Sequence, residues 1–186
     1  MTRRGRFWLT LLLAAGVLGG CGGSAGPTLP APFPTASPAT ATATAAIEPA
    51  GGIVTFPVAA GYGGAFAYSA NNAGSTARVT LVTTTDDIAE LTTQSIPGTP
   101  LAAFEITLSQ SVTFQDWRGL LTTITIPAGI ATSGRTFDEY GYDLTANTAD
   151  GFNPGTVNGQ TISFSVSSGP VTLQNHTYLL VLTAFN

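Results

Sequence analysis

The chain of 186 residues is 44% hydrophobic and only 9% charged, with a formal net charge of −4, against a charged share of roughly 25% in an average soluble protein. All six basic residues are arginine, and three of them (Arg3, Arg4, Arg6) crowd the N-terminus, which leaves Arg78, Arg118 and Arg135 against ten acids. No basic stripe exists for nucleic-acid phosphates, so nucleic acid is excluded as a partner, and the high apolar share excludes wholesale disorder.

The first element is tripartite. Met1–Arg6 is positively charged, Phe7–Leu18 is apolar apart from one threonine, and Gly19-Gly20 precede Cys21, the only cysteine. Twelve helical residues rise about 18 Å, short of the ~30 Å hydrocarbon core, so this segment predicts a secretory signal rather than a membrane span. The run Leu18-Gly19-Gly20-Cys21 resembles the lipobox of bacterial lipoproteins, with glycine at position 19 where alanine or serine is commoner. The resemblance covers residues 1–21. It implies removal of residues 1–20, a diacylglycerol thioether on Cys21 and acylation of the new N-terminus. Two or more acyl chains give stable anchoring, at roughly 0.8 kcal/mol per buried methylene. A lone thiol in an oxidising compartment is a redox liability, and lipidation removes it. Arg3-Arg4 invites a twin-arginine reading, but Arg6 stands where that pattern has an apolar residue, so the general secretory route is expected. Gly22 rather than Asp follows the cysteine, which favours the outer membrane in bacteria that sort by this residue.

Residues 21–50 form the second segment. Six of the chain's twelve prolines lie in Gly22–Ala50, among alanine and threonine, with Glu48 as its one charge. Proline at this density blocks helix and removes ladder donors. It predicts an extended tether reaching at most ~90 Å at about 3.1 Å per residue.

Residues 51–186 are expected to be one domain, near the common domain size. Period-two alternation recurs in "RVTLVTT", "AFEITLS" and "TISFSVSS", while "TYLLVLTAF" is apolar on both faces, as for a strand covered twice. Pro57 marks an edge strand or a strand end. Asn158-Gly159 suits a tight two-residue hairpin. Only Asp86–Thr93 suggests helix, of one or two turns. Eight to ten short strands separated by turn residues imply an all-β, single β-sandwich, immunoglobulin-like or jelly-roll. Leu101–Phe185 is similar in cadence to the sandwich modules of exported bacterial proteins. That resemblance implies the same fold and display or binding at the cell surface, and it makes Tyr178 a candidate for a corner tied by its hydroxyl.

Residue types for chemistry are scarce. His176 is the only histidine; it stands in a turn, where a solvated side chain is expected, and no G-x-S-x-G motif accompanies it. One histidine and a lipidated cysteine do not make a zinc site. Asp138, Glu139 and Asp143 lie in "TFDEYGYDL" and Asp150 follows. Alternation sets Asp138 and Glu139 on opposite faces, so one strand does not supply the facing carboxylates of a glycosidase. Asp138, Asp143 and Asp150 are weak calcium candidates without the spacing of a known calcium loop. Trp117, beside Asp116 and Arg118, is a candidate to stack on a sugar ring, and Tyr140 and Tyr142, on one strand face, would extend that platform. No cofactor and no catalysis are expected.

The sequence therefore leads to two alternatives for an exported, lipid-anchored protein of the bacterial envelope, on the outer membrane or the outer face of the cytoplasmic membrane. One is a non-catalytic structural module that binds an envelope protein. The other is a surface module that binds a glycan.

Overall fold

Along Thr161–Ser165 the alternation is realised in space: Ile162 and Phe164 are wholly buried, Thr161 and Ser163 half-buried and Ser165 exposed. The computed structural model describes residues 32–34, 37–72, 76–86, 96–115, 120–165 and 170–186. Among them, thirteen strands follow in chain order: β1 Thr40–Ile47, β2 Gly52–Ala59, β3 Tyr62–Tyr68, β4 Ala77–Thr84, β5 Thr99–Leu108, β6 Val112–Phe114, β7 Leu120–Thr125, β8 Thr136–Asp143, β9 Thr148–Pro154, β10 Thr156–Asn158, β11 Thr161–Ser165, β12 Val171–Leu173 and β13 Thr177–Phe185. The expected helix at Asp86–Thr93 lies, apart from Asp86, outside the described residues.

The strands build an all-β sandwich. One sheet has the order β1-β4-β5-β13-β8-β9, the facing sheet β10-β11-β7-β3-β2, and a two-stranded sheet pairs β12 with β6. All pairings are antiparallel. The inner faces of the large sheets supply the main core, with Phe56, Phe66, Phe104, Phe137, Ile124 and Phe164 each at most 1% exposed. Phe56 and Phe104 meet across the sheets edge to face at 5.2 Å, the arrangement aromatic quadrupoles favour. The small sheet sends Phe114 into the same core against Phe66 and Tyr68.

Strand β13 is covered on both sides, as its sequence predicts. Leu182 and Ala184 join the main core, while Leu179 and Val181 pack outward with Ala103 and Tyr142 into a second cluster. Pro57 lies on β2, the outer strand of its sheet, where the register shifts between Phe56 and Ala59. The β10–β11 hairpin pairs Asn158 with Thr161, and Gly159 in the loop has φ of +60°, a conformation glycine adopts without a Cβ clash.

Two tyrosines tie corners. The Tyr178 hydroxyl accepts a hydrogen bond from the Gln174 amide at 2.7 Å, the corner its position suggests. The Tyr68 hydroxyl accepts one from the Glu48 amide at 2.9 Å, which pins the turn between β1 and β2.

One expectation is corrected. The chain does not stay an extended tether as far as Ala50, because Thr40–Ile47 is a strand of the first sheet in unbroken register with β4. The physical reason lies in the gap between prolines. Pro38 and Pro49 bracket a proline-free run in which threonine alternates with alanine, which is the strand period with a β-branched solvent face. Ile47 is fully buried and Ala45 packs on the core. Further upstream, Phe33 also packs on the core, with the Arg135 guanidinium 3.8 Å above its ring.

Candidate functional site

Strand β8 carries most of the chemically active side chains on its two faces. Phe137 and Glu139 point into the sandwich, and both are almost wholly buried. Asp138, Tyr140 and Tyr142 point to the outer face, as alternation requires.

The outer face holds an aromatic ledge. Phe152 of β9 lies opposite Tyr140 in the register, and the two rings stack at 5.8 Å with 24° between their planes. Phe152 is 62% exposed. A shallow groove of about 290 Å³ runs beside this pair, bounded by Pro97 and Tyr142 and floored at Gly141 and Gly151. Gly151 has φ of +119° and open space where a Cβ would stand, so the backbone is bare there. Burial and then the neighbouring Asp138 charge hold the Tyr140 phenol above its ordinary range. Burial also raises the Asp138 carboxyl. The expected Tyr140–Tyr142 platform is thus changed: Tyr142 is only 8% exposed and belongs to the second core cluster, and Phe152 supplies the exposed ring instead. Trp117 lies outside the described residues, as does Cys21.

The inner face holds Glu139, at 0% exposure, with both carboxyl oxygens lacking a hydrogen-bond partner. Burial pushes its carboxyl up to about 7, against a weak opposing pull from the side chains of Thr122 on β7 and Asn153 on β9, neither of which meets the geometry of a hydrogen bond. Alternation places Asp138 and Glu139 on opposite faces, and the packing of Phe137, in phase with Glu139, takes Glu139 to the inner one.

At the end of β8, Asp143 Oδ2 lies 2.6 Å from His176 Nδ1, and its Oδ1 accepts the Ala146 amide at 2.9 Å. Burial alone would raise this carboxyl, but the His176 and Ala146 hydrogen bonds and the histidine charge hold it below the usual carboxylate range. His176 is therefore engaged rather than merely solvated, and it stacks on Tyr178 with centroids 6.2 Å apart. The weak calcium candidates do not assemble. Asp138 and Asp143 stand at opposite ends of β8, roughly 16 Å apart along an extended strand, and no group of three or more His, Cys, Asp or Glu side chains among the described residues could hold a metal ion. The Asp150 side chain is outside the description.

The outer face of the second sheet carries a further shallow depression of about 330 Å³ over Thr55, Val58, Gly63, Ala65, Thr123 and Thr125. It presents hydroxyls, methyls and backbone without a charged side chain. No protein-family model, curated protein or solved structure matches this chain.

Proposed function

We propose that the chain is an exported lipoprotein of the bacterial envelope, whose non-catalytic β-sandwich serves as a structural or protein-binding module. The observation that carries this reading is Leu18-Gly19-Gly20-Cys21, with the chain's one cysteine directly after a charged and then apolar segment. Acyl chains on that cysteine hold the sandwich at the bilayer, and the broad uncharged sheet faces offer contact surface with little desolvation cost. Fractionation and intact mass of the product from a bacterial host test it. Wild type is expected in the membrane fraction with an acylated Cys21 as first residue, and Cys21→Ser in the soluble fraction. An unmodified thiol, or unchanged membrane association of the variant, overturns the reading.

A second reading is a glycan-binding surface module, and it is favoured by the stacked Tyr140–Phe152 pair with Phe152 exposed. A pyranose ring packs its C–H face on such a ring, and bare backbone at Gly151 supplies hydrogen-bonding groups. Screening on a glycan array, with Phe152→Ala as control, decides it: binding that the variant loses supports the platform, and absence of any bound glycan removes it.

A further inference from the structure

Sheet edges are where one β protein joins another, because they present unpaired N–H and C=O groups. Four strands end the two large sheets: β1 and β9 in one, β10 and β2 in the other. Three carry blunting devices. Strand β2 has Pro57 and a register shift. Strand β9 has a register shift opposite Gly141/Tyr142 and ends on Pro154. Strand β10 is three residues long. Strand β1 has none of these. Its eight residues, TATATAAI, hold neither proline nor charge, and all eight pair with β4 without a shift. Among the described residues nothing pairs with its other side.

We propose that β1 pairs with β1 of a second copy of this chain, antiparallel about a two-fold axis through Ala43, to join two sandwiches through one continuous sheet. The register follows from which groups are free. The Thr85 amide donates to the Ala39 carbonyl at 2.9 Å, so Ala39 faces β4. At the other end of β4, the Ser109 amide donates to the Arg78 carbonyl at 2.9 Å, so Arg78 faces β5 and its partner Ala46 has no bond to it. Antiparallel alternation then directs the N–H and C=O of Thr40, Thr42, Thr44 and Ala46 outward. A two-fold register centred on Ala43 matches Thr40 with the partner's Ala46 and Thr42 with the partner's Thr44. It uses all four free residues and forms about eight hydrogen bonds.

Charge selects a second copy as the occupant. The Thr40 hydroxyl donates to Asp86 Oδ2 at 2.8 Å, which places a carboxylate at one end of the edge. Arg78 lies beside Ala46 at the other end. Both Asp86 and Arg78 are exposed. In the proposed register each Arg78 reaches over the partner's side of the small Ala46 toward the Asp86 held on Thr40, so the dimer gains two symmetric ion pairs on one face. A parallel pairing, or one shifted by a full strand length, brings like ends together or none.

The test is the association state of the full chain, purified in a mild detergent, by sedimentation at micromolar concentration. Wild type is expected to be a dimer. Thr42→Pro removes an outward N–H that β4 does not use, and is expected to give a monomer with an unaltered β4 pairing, seen as retained amide protection of Val79 and Leu81. Arg78→Glu or Asp86→Arg is expected to raise the dissociation constant by about tenfold each, and the double exchange to restore it. Ala43→Cys places two thiols across the axis in a non-hydrogen-bonded pair, about 4.5 Å between Cα atoms, within disulfide reach. It is expected to cross-link to itself, and Ile53→Cys is not. A monomeric wild type, a Thr42→Pro dimer, or an Ala43→Cys adduct with a different protein overturns the proposal.

Discussion

Glu139 of β8 stands in the sandwich core against Thr122 of the opposite sheet, and neither carboxyl oxygen has a hydrogen-bond partner. A carboxylate without partners in low dielectric is costly, so the group stays protonated well above the range of an exposed glutamate. Its folded value is about 7 against an ordinary 4.5. The native state therefore holds a proton that the unfolded chain has released, and stability falls as pH rises from about 4.5 through 7. The full loss is about 3 kcal/mol. Glu139→Gln keeps the shape and removes the ionisation. Its unfolding free energy from urea denaturation is expected to match wild type near about pH 4 and to exceed it by about 2–3 kcal/mol near about pH 8. Parallel pH profiles of the two proteins would show that the side chain finds water or a partner.

Asp143 has the opposite sign. Its carboxyl is held below the usual range by His176 and the Ala146 amide. It contributes stability above its unfolded value, and that contribution is lost as pH falls through the lower folded value. Asp143→Asn should cost about 1–2 kcal/mol at neutral pH through the two lost charge-assisted bonds. It should also flatten the acid limb of the stability profile. Chemical denaturation of both proteins between about pH 2 and pH 7 measures it; an unchanged acid limb would mean the pair is fully screened.

The two tyrosine corners can be compared directly. Tyr178→Phe leaves the Gln174 amide without its acceptor and Tyr68→Phe does the same to Glu48. Each is expected to cost about 1–2 kcal/mol with the ring packing intact. Hydrogen exchange should speed selectively at Gln174 in one variant and at Glu48 in the other. Loss of protection across the whole sandwich would mean that the hydroxyls hold more than their corners.

Much of the sheet was legible because one face of each strand is dry. Ile162 and Phe164 alternate with hydroxyl residues and are buried as that pattern requires, and the doubly apolar β13 is covered on both sides. Pro57 marked a sheet edge because it has no N–H to give. The first strand was hidden by composition. Averaged over Gly22–Ala50, six prolines set the reading, yet none lies between Pro38 and Pro49, where threonine alternates with alanine from Ala39 to Ala45. The aromatic ledge was half legible. Tyr140 and Tyr142 share a face by alternation, but their exposure depends on what stands over them, and Phe152 reaches Tyr140 through a cross-strand register that no local pattern encodes. Glu139 illustrates the same limit. A strand rule separates it from Asp138, and only the packing of Phe137 in phase with it decides which carboxyl goes inside.

That packing also leaves no room for a side chain at Gly155. Gly155 follows β9, and its amide donates to the Phe137 carbonyl at 2.8 Å. A Cβ at this position would lie 2.5 Å from Ile162 Cγ2, 2.7 Å from Phe164 Cε1 and 2.9 Å from the Phe137 carbonyl oxygen. Ile162 and Phe164 are fully buried, so neither can swing into solvent, and the Phe137 oxygen belongs to a paired strand. Gly155→Ala must therefore push β11 from β8 or break the amide bond to Phe137. The expected cost is about 1–3 kcal/mol, typical of an overpacked core. Gly134→Ala is the matched control for a loop glycine, since nothing lies within 4 Å of its Cβ position; its φ of +76° alone makes the change unfavourable, by about 1–2 kcal/mol. Thermal melts of the two variants separate the effects. Truncating Ile162 to alanine removes the Cγ2 methyl that meets the new Cβ, so the double variant Gly155→Ala/Ile162→Ala should lose less stability than the sum of the two single losses, whereas the losses of Ile162→Ala and Gly134→Ala should add. Simple additivity of Ile162→Ala with both glycine variants would mean that the contact at Gly155 is not the source of the strain.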